Sequence, residues 1–226
     1  MQLTIAKNEM AFDNIAAWKI IGEILRSNGD RTTLRLGTGR TALDIYRAMA
    51  QIYRVHPFGT ARVCVFGTSE LAGVPHSSPE SRYRILHQAV VEPLEIFEEN
   101  FFMPMPFADD PERECRAHES VIQARGGIDL LLAEPSCDGS LDLLGPGTPF
   151  GSTAFVQQDG TQKKITLGIQ DMMHSRRLLL AAKGREKAPV VRQLLYGPVT
   201  EDVPASLLRT HPFLEIVLDK EAASLL

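Results

Sequence analysis

Six short apolar runs separated by helix-length stretches constrain this chain more than any other feature. Strands are expected at Thr32–Leu36, Arg62–Phe66, Ile128–Ala133, Ile165–Leu167, Arg177–Ala182 and Phe213–Leu218. Between most of them lie segments whose apolar residues recur at helical spacing. An opening helix is expected from about Asn8 to Ser27, with Phe12, Ile15, Ala16, Ile20 and Leu25 on one face, widened by Trp18 and Ile24, and with Asn28-Gly29-Asp30 ending it. Pro111 to Arg125 begins on a proline and stops at Gly126-Gly127, and Gly184 to Tyr196 stops at Gly197-Pro198. Alternating strands and helices predict an α/β fold of three layers: a mostly parallel sheet with helices on both faces. With 226 residues, 44% of them hydrophobic, one domain spanning 1–226 can bury the required core.

In such a fold ligands collect at the carboxyl ends of the strands. The loops at Gly37, Gly67 and Glu134 should converge there. The first of them, Gly37-Thr38-Gly39-Arg40-Thr41, joins a strand to an amphipathic helix from Thr41 to Ile52, on which Leu43, Tyr46, Ala50 and Tyr53 recur. A helix start leaves backbone N–H groups free, with the positive end of the helix dipole behind them. Glycines at 37 and 39 let an anion approach, the hydroxyls of Thr38 and Thr41 add donors, and Arg40 adds a guanidinium. A turn that merely reverses the chain has the same composition. The spacing is neither GxxxxGK[ST] nor GxGxxG, so nucleotide cofactors are not indicated.

The formal charge of −4 argues against a nucleic-acid partner. Cys64, Cys115 and Cys137 show no paired spacing and suit a reducing compartment, Cys137 beside Asp138 being the one with nucleophilic potential. The first residues lack a signal-peptide pattern and no apolar run reaches 18 residues, so a cytoplasmic protein with no membrane partner is expected. His56, His118 and His174 are scattered, and no metal and no cofactor are expected. A homo-oligomer is compatible with everything above.

Four motifs in chain order resemble the glucosamine-6-phosphate deaminase/isomerase group, whose relatives include 6-phosphogluconolactonases and galactosamine-6-phosphate isomerases. Leu36-Gly37-Thr38-Gly39-Arg40-Thr41-Ala42 is similar to its L-x-T-G-x-T-P loop. Val74-Pro75-His76-Ser77-Ser78-Pro79-Glu80-Ser81-Arg82-Tyr83, followed by His87, is similar to L-P-x-x-x-P-E-S-Y. Gly184-Arg185-Glu186-Lys187-Ala188 resembles G-x-x-K-A, and Pro204-Ala205-Ser206-Leu207-Leu208-Arg209-Thr210-His211-Pro212 resembles P-A-S-x-L-Q-x-H-P. The resemblance implies a deaminase/ribose-phosphate-isomerase-like fold, a phosphorylated sugar as partner, and phosphate contacts at Thr38, Gly39, Arg40, Thr41 and Lys187.

The same resemblance exposes what is missing. Where the family has M-D-E-Y with an aspartate base, this chain has Thr68-Ser69-Glu70-Leu71. Where the family has G-x-G-x-D-G-H-I-A-F-N-E-P, it has Glu134 and Ser136 for the two loop glycines, retains Asp138 and Gly139, and carries Ser140 for the histidine and Gly145 for the glutamate. A general acid or base contributes about 10²–10⁴-fold, so ordinary deaminase catalysis should be lost or altered. A lactonase, which uses the same histidine, is weakened equally. Phe155 stands for a basic residue used in allosteric activation, and a short polar bridge, Gln157 to Ile165, replaces a longer family segment. Open alternatives are an aldose–ketose isomerase using Glu70 and Asp138, with His76 or Cys137 assisting, a ribose-5-phosphate isomerase on the strength of the glycine loop, and a non-catalytic sugar-phosphate sensor.

Overall fold

The computed structural model describes every residue except 28, 154, 160, 161 and 167, and describes only the backbone at 155, 157–159 and 162. In chain order the elements are β1 (Gln2–Ala6), α1 (Glu9–Arg26), β2 (Thr32–Leu36), α2 (Arg40–Val55), β3 (Val63–Gly67), β4 (Ser69–Leu71), α3 (Arg82–Leu86), β5 (Phe101–Phe102), α4 (Pro111–Ala124), β6 (Leu130–Ala133), β7 (Phe155–Asp159), β8 (Gln162–Thr166), α5 (Ile169–Met173), β9 (Arg177–Ala182), α6 (Ala188–Tyr196) and β10 (Leu214–Asp219). Seven strands form one parallel sheet in the order β1-β10-β9-β6-β2-β3-β5. A smaller antiparallel sheet, β4-β8-β7, lies apart from it.

Strand alternation divides the core in two. Leu34, Leu36, Val63, Val65, Leu130, Leu132, Leu179, Ala181 and Val217 face α1 and α2. Their neighbours Cys64, Phe66, Leu131, Ala133, Leu178, Leu180, Ala182, Ile216 and Leu218 face the opposite way, against α4 and α6. Successive side chains of a strand point to opposite faces, so a strand covered on both sides reads as one continuous apolar run. That is the three-layer arrangement expected from the sequence.

Local chemistry starts the helices where the residues say. The Asn8 side chain accepts the Ala11 N–H at 2.9 Å to cap α1, and Asp110 accepts the Arg113 N–H at 3.0 Å with Pro111 in the first turn of α4. The buried stripes run slightly differently from expectation. On α1, Trp18 and Leu25 are exposed while Ala17, Ile21 and Ile24 are buried. On α2, Ala42, Ile45, Tyr46 and Met49 are buried, and Leu43 and Tyr53 pack at the margin. Each of these helices packs against the sheet and against the other, which turns the stripe toward the shared groove.

Short edge elements escaped periodicity. β1 pairs with β10 at one edge, β5 contributes two residues at the other, and the segment read as a polar bridge contains the β7–β8 strands. Part of that bridge, the expected strand end at Leu167 and the helix stop at Asn28 lie outside the described residues, as does the side chain of Phe155.

One buried titratable group shows how the second core layer sets pH behaviour. His118 on α4 packs edge-on against Phe66 with ring centroids 5.4 Å apart. Burial first, then the Arg35 guanidinium, pushes its pKa down to about 3, partly offset by a backbone hydrogen bond at Gly67. The unfolded chain protonates this histidine below about 6.5 while the folded chain does not, so its contribution is complete above that pH and is lost as pH falls toward 3. Urea unfolding between pH 7 and 4 should therefore show a steeper loss of stability in the wild type than in His118→Gln. Parallel pH profiles would refute this account of the slope.

Candidate functional site

The carboxyl ends of β2, β3 and β6 open into a cavity of about 340 Å³, lined by residues of all three following loops. That size falls within the range of roughly 300–1,000 Å³ found for small-molecule sites. Gly37-Thr38-Gly39 leads from β2 into α2, and Gly39 is the helix cap, extended and without a side-chain partner for the first amides. Tyr46 Oη donates to the Gly37 carbonyl at 3.0 Å and so ties the turn to the helix it starts.

The amides of this helix start are occupied from within. Thr41 N–H donates to Glu134 Oε1 at 3.2 Å and Ala42 N–H donates to Glu134 Oε2 at 3.3 Å. Glu134 follows directly on β6, and its carboxylate lies so close to Gly39 that a Cβ there would overlap it. A carboxylate offers a helix N-terminus the same negative charge and paired acceptors as an external anion. The turn Thr38–Thr41 does open α2, but the amides of Thr41 and Ala42 hold this chain's own side chain. That corrects the picture of an open turn.

Lys187 shares the cavity with Thr38, Gly39 and Arg40, although nearly 150 positions separate them in sequence. It ends a short turn, Arg185–Lys187, before α6, and its ammonium donates to the Pro135 carbonyl at 2.7 Å. Two further charged side chains enter from elsewhere. Arg82 Nη1 donates to Thr38 Oγ1 at 2.6 Å and stands 3.7 Å from Asp142 Oδ1. Asp142 adopts a left-handed backbone, φ 53°, and its other carboxylate oxygen is buried without a hydrogen-bond partner among the described residues. Strained backbone and an unsatisfied acceptor are both more frequent at binding sites than elsewhere.

The positions expected to carry proton transfer are placed less favourably. Ser69, at the position that the family resemblance assigns to an aspartate, is buried with no partner for its hydroxyl among the described residues. Glu70 is fully buried: Oε1 accepts the N–H groups of Leu71 and Arg82 at 2.7 and 3.0 Å, and Oε2 accepts the Ser81 hydroxyl and the Tyr83 N–H at 3.1 and 2.8 Å. Four donors fill its acceptor sites, so it anchors the start of α3 and does not line the cavity. Asp138 is exposed, and its carboxyl is held below the usual carboxylate range first by the Ser140 N–H, 3.0 Å away, then by the Ser140 side chain. It closes a turn outside the cavity. Neither residue lines the cavity, so the placement of the two carboxylates gives no support to the expectation of Glu70 and Asp138 as an acid–base pair. Ser140 and Gly145 remain neighbours, a Cβ on Gly145 falling 3.9 Å from Ser140 Oγ.

Sequence reasoning missed Arg82 and Asp142, whose roles depend on loops meeting across the cleft. It noted Glu134 only as a lost glycine. The available signal was an acidic residue immediately after a strand whose loop must face an anion cradle. His76 stacks on Tyr83 with centroids 4.0 Å apart, and Cys137 is exposed. Among the described residues no three His, Cys, Asp or Glu side chains group as a metal site, and no helix is long and apolar enough to cross a membrane.

Comparison with known proteins agrees with this architecture. The profile of the family described as glucosamine-6-phosphate isomerases/6-phosphogluconolactonase matches residues 13–216. The glucosamine-6-phosphate deaminase of Halalkalibacterium halodurans is 32% identical over 207 residues, covering 84% of each chain. A solved structure of a monomeric glucosamine-6-phosphate deaminase superposes with a TM-score of 0.95 at 28% identity, covering the whole of both chains. The 6-phosphogluconolactonase of Trypanosoma cruzi, at 20% identity, shares the fold with a TM-score of 0.83 over 99% of this chain and 96% of its own. With most of its length matched and its loops meeting at the same end of the sheet, this chain belongs to the glucosamine-6-phosphate isomerase/6-phosphogluconolactonase family.

Proposed function

We propose that the cavity at the ends of β2, β3 and β6 binds a sugar and that ordinary deaminase catalysis is lost or altered in this chain. What supports the reading is a formed cleft in a chain that carries Ser69, Ser140 and Gly145 at the positions the family resemblance assigns to acid–base residues. A serine hydroxyl does not shuttle a proton near neutral pH without a partner, and the Ser69 hydroxyl has none among the described residues. The relatives' names supply the ligand class, a hexose carrying an amine and a phosphate. A phosphorylated amino sugar enters the proposal on one condition: its phosphate must displace the Glu134 carboxylate from the amides of Thr41 and Ala42. The isomerase reading through Glu70 and Asp138 has less support, since both carboxylates serve turns of the backbone outside the cavity.

Ammonia and fructose 6-phosphate release from glucosamine 6-phosphate should fall at least about 10⁴-fold below an active relative assayed alongside, the loss of two acid–base groups. Calorimetric titration with glucosamine, galactosamine and their 6-phosphates should give saturable binding in the millimolar range or tighter for at least one. Turnover at the relative's rate would refute the catalytic half of the proposal, and silence with every sugar would refute the binding half.

A further inference from the structure

We infer that Glu134 determines ligand class: it fills the phosphoryl position of the cleft with an internal carboxylate, so that this chain prefers a sugar without a phosphate to its 6-phosphorylated counterpart. The inference rests on the reading that the cleft binds a sugar. Two of the groups expected to hold a phosphate already have partners within the chain, while Arg40 and the Thr38 hydroxyl also line the cavity. The amides of Thr41 and Ala42 are shared between the two oxygens of Glu134, and the Lys187 ammonium is bonded to the carbonyl of Pro135, the next residue. Glu134 is held at a strand end, and Lys187 fixes the peptide just beyond it, so the carboxylate is positioned by backbone on both sides of its Cα.

Charge adds to occupancy. An incoming phosphate carries nearly two negative charges, and placing it against a carboxylate in a half-enclosed site is repulsive at any dielectric between those of protein and water. What remains in the cleft suits a different ligand. Asp142 and Arg82 both line it 3.7 Å apart, and bring a carboxylate and further N–H groups to its wall. Sugar hydroxyls, and the ammonium of an amino sugar, supply the donors that a carboxylate lacks.

The test compares wild type, Glu134→Gly and Glu134→Gln by calorimetry with glucosamine, glucosamine 6-phosphate and inorganic phosphate, after melting curves establish that each variant is folded. Wild type should bind glucosamine more tightly than glucosamine 6-phosphate and show no heat with inorganic phosphate at millimolar concentration. Glu134→Gly should bind glucosamine 6-phosphate at least about tenfold more tightly than wild type, as expected for freed charge-assisted hydrogen bonds, and bind inorganic phosphate measurably. Glu134→Gln keeps the bulk and loses the charge, so its gain should be smaller, and it serves if the glycine variant is unfolded. Equal affinity of wild type and both variants for the phosphorylated ligands would overturn the role of Glu134. Gain of inorganic phosphate binding with no sugar bound by any protein would support that role while overturning the sugar reading of the cleft.

Discussion

Glu70→Gln is expected to lower the unfolding free energy by roughly 3–5 kcal/mol, because it leaves two buried donors without an acceptor at about 1–3 kcal/mol each. In a chain of this length that corresponds to a fall in melting temperature of about 6–20 °C. The reason is geometric. Each oxygen of Glu70 accepts two hydrogen bonds, from Leu71 and Arg82 on one side and from Ser81 and Tyr83 on the other. Whichever way a glutamine amide is turned, its NH₂ group faces two donors, at least one of them a backbone N–H that cannot rotate away. The first turn of α3 then loses its anchor to β4, and Arg82, which reaches the cleft from that turn, loses its position over Thr38. Differential scanning calorimetry of the purified variant checks this. An unchanged melting temperature together with altered chemistry would restore Glu70 as a proton-transfer group.

The second large effect is expected at the Arg35–Glu119 pair. Arg35 lies in the middle of β2 on the face packed against α4, with only 1% of its surface exposed, and its Nη1 donates to Glu119 Oε1 at 2.7 Å. Its Nε has no partner among the described residues. Glu119→Ala leaves a buried guanidinium without its counter-charge, which costs about 3 kcal/mol or more. Replacing both residues with apolar ones of similar volume, Arg35→Met with Glu119→Leu, should recover most of that loss, because the desolvation of both charges disappears together. Urea denaturation of Arg35→Met, Glu119→Leu and the double variant forms the cycle, with Glu119→Ala measured alongside. Additive losses would show that the pair is not coupled and would remove this explanation of a charge inside the sheet.

How much is legible in the sequence follows from which interactions are local. β2 and β9 appear at the residues their apolar runs indicate, and α4 begins at Pro111 because its cap, proline and first acidic residues are contiguous. Elements stabilised chiefly by distant partners are not legible. β4 is three residues long and exists by pairing with β8, nearly a hundred positions later. Likewise Lys187 carries no local mark of belonging beside Thr38, and only the family pattern joins them.

The candidate site divides along the same line. Ser69 in place of an aspartate and Ser140 in place of a histidine are matters of residue identity, so the expectation of weakened acid–base chemistry needs nothing beyond the order of residues in the chain. Glu70 and Asp138 show the converse. Both are acids at suggestive positions, and only their hydrogen-bond partners reveal that one braces a helix and the other closes a turn.

By itself, the sequence determined the parallel three-layer fold, the glycine turn at the start of α2 and the residue types at positions 69, 140 and 145, because each depends on residue type and spacing along one stretch of chain. The tertiary structure alone decided that the turn is filled by Glu134 and that Arg82 and Asp142 meet at the wall of the cleft. Those outcomes rest on side-chain directions at strand ends brought together by the sheet, and a direction in space has no one-dimensional record.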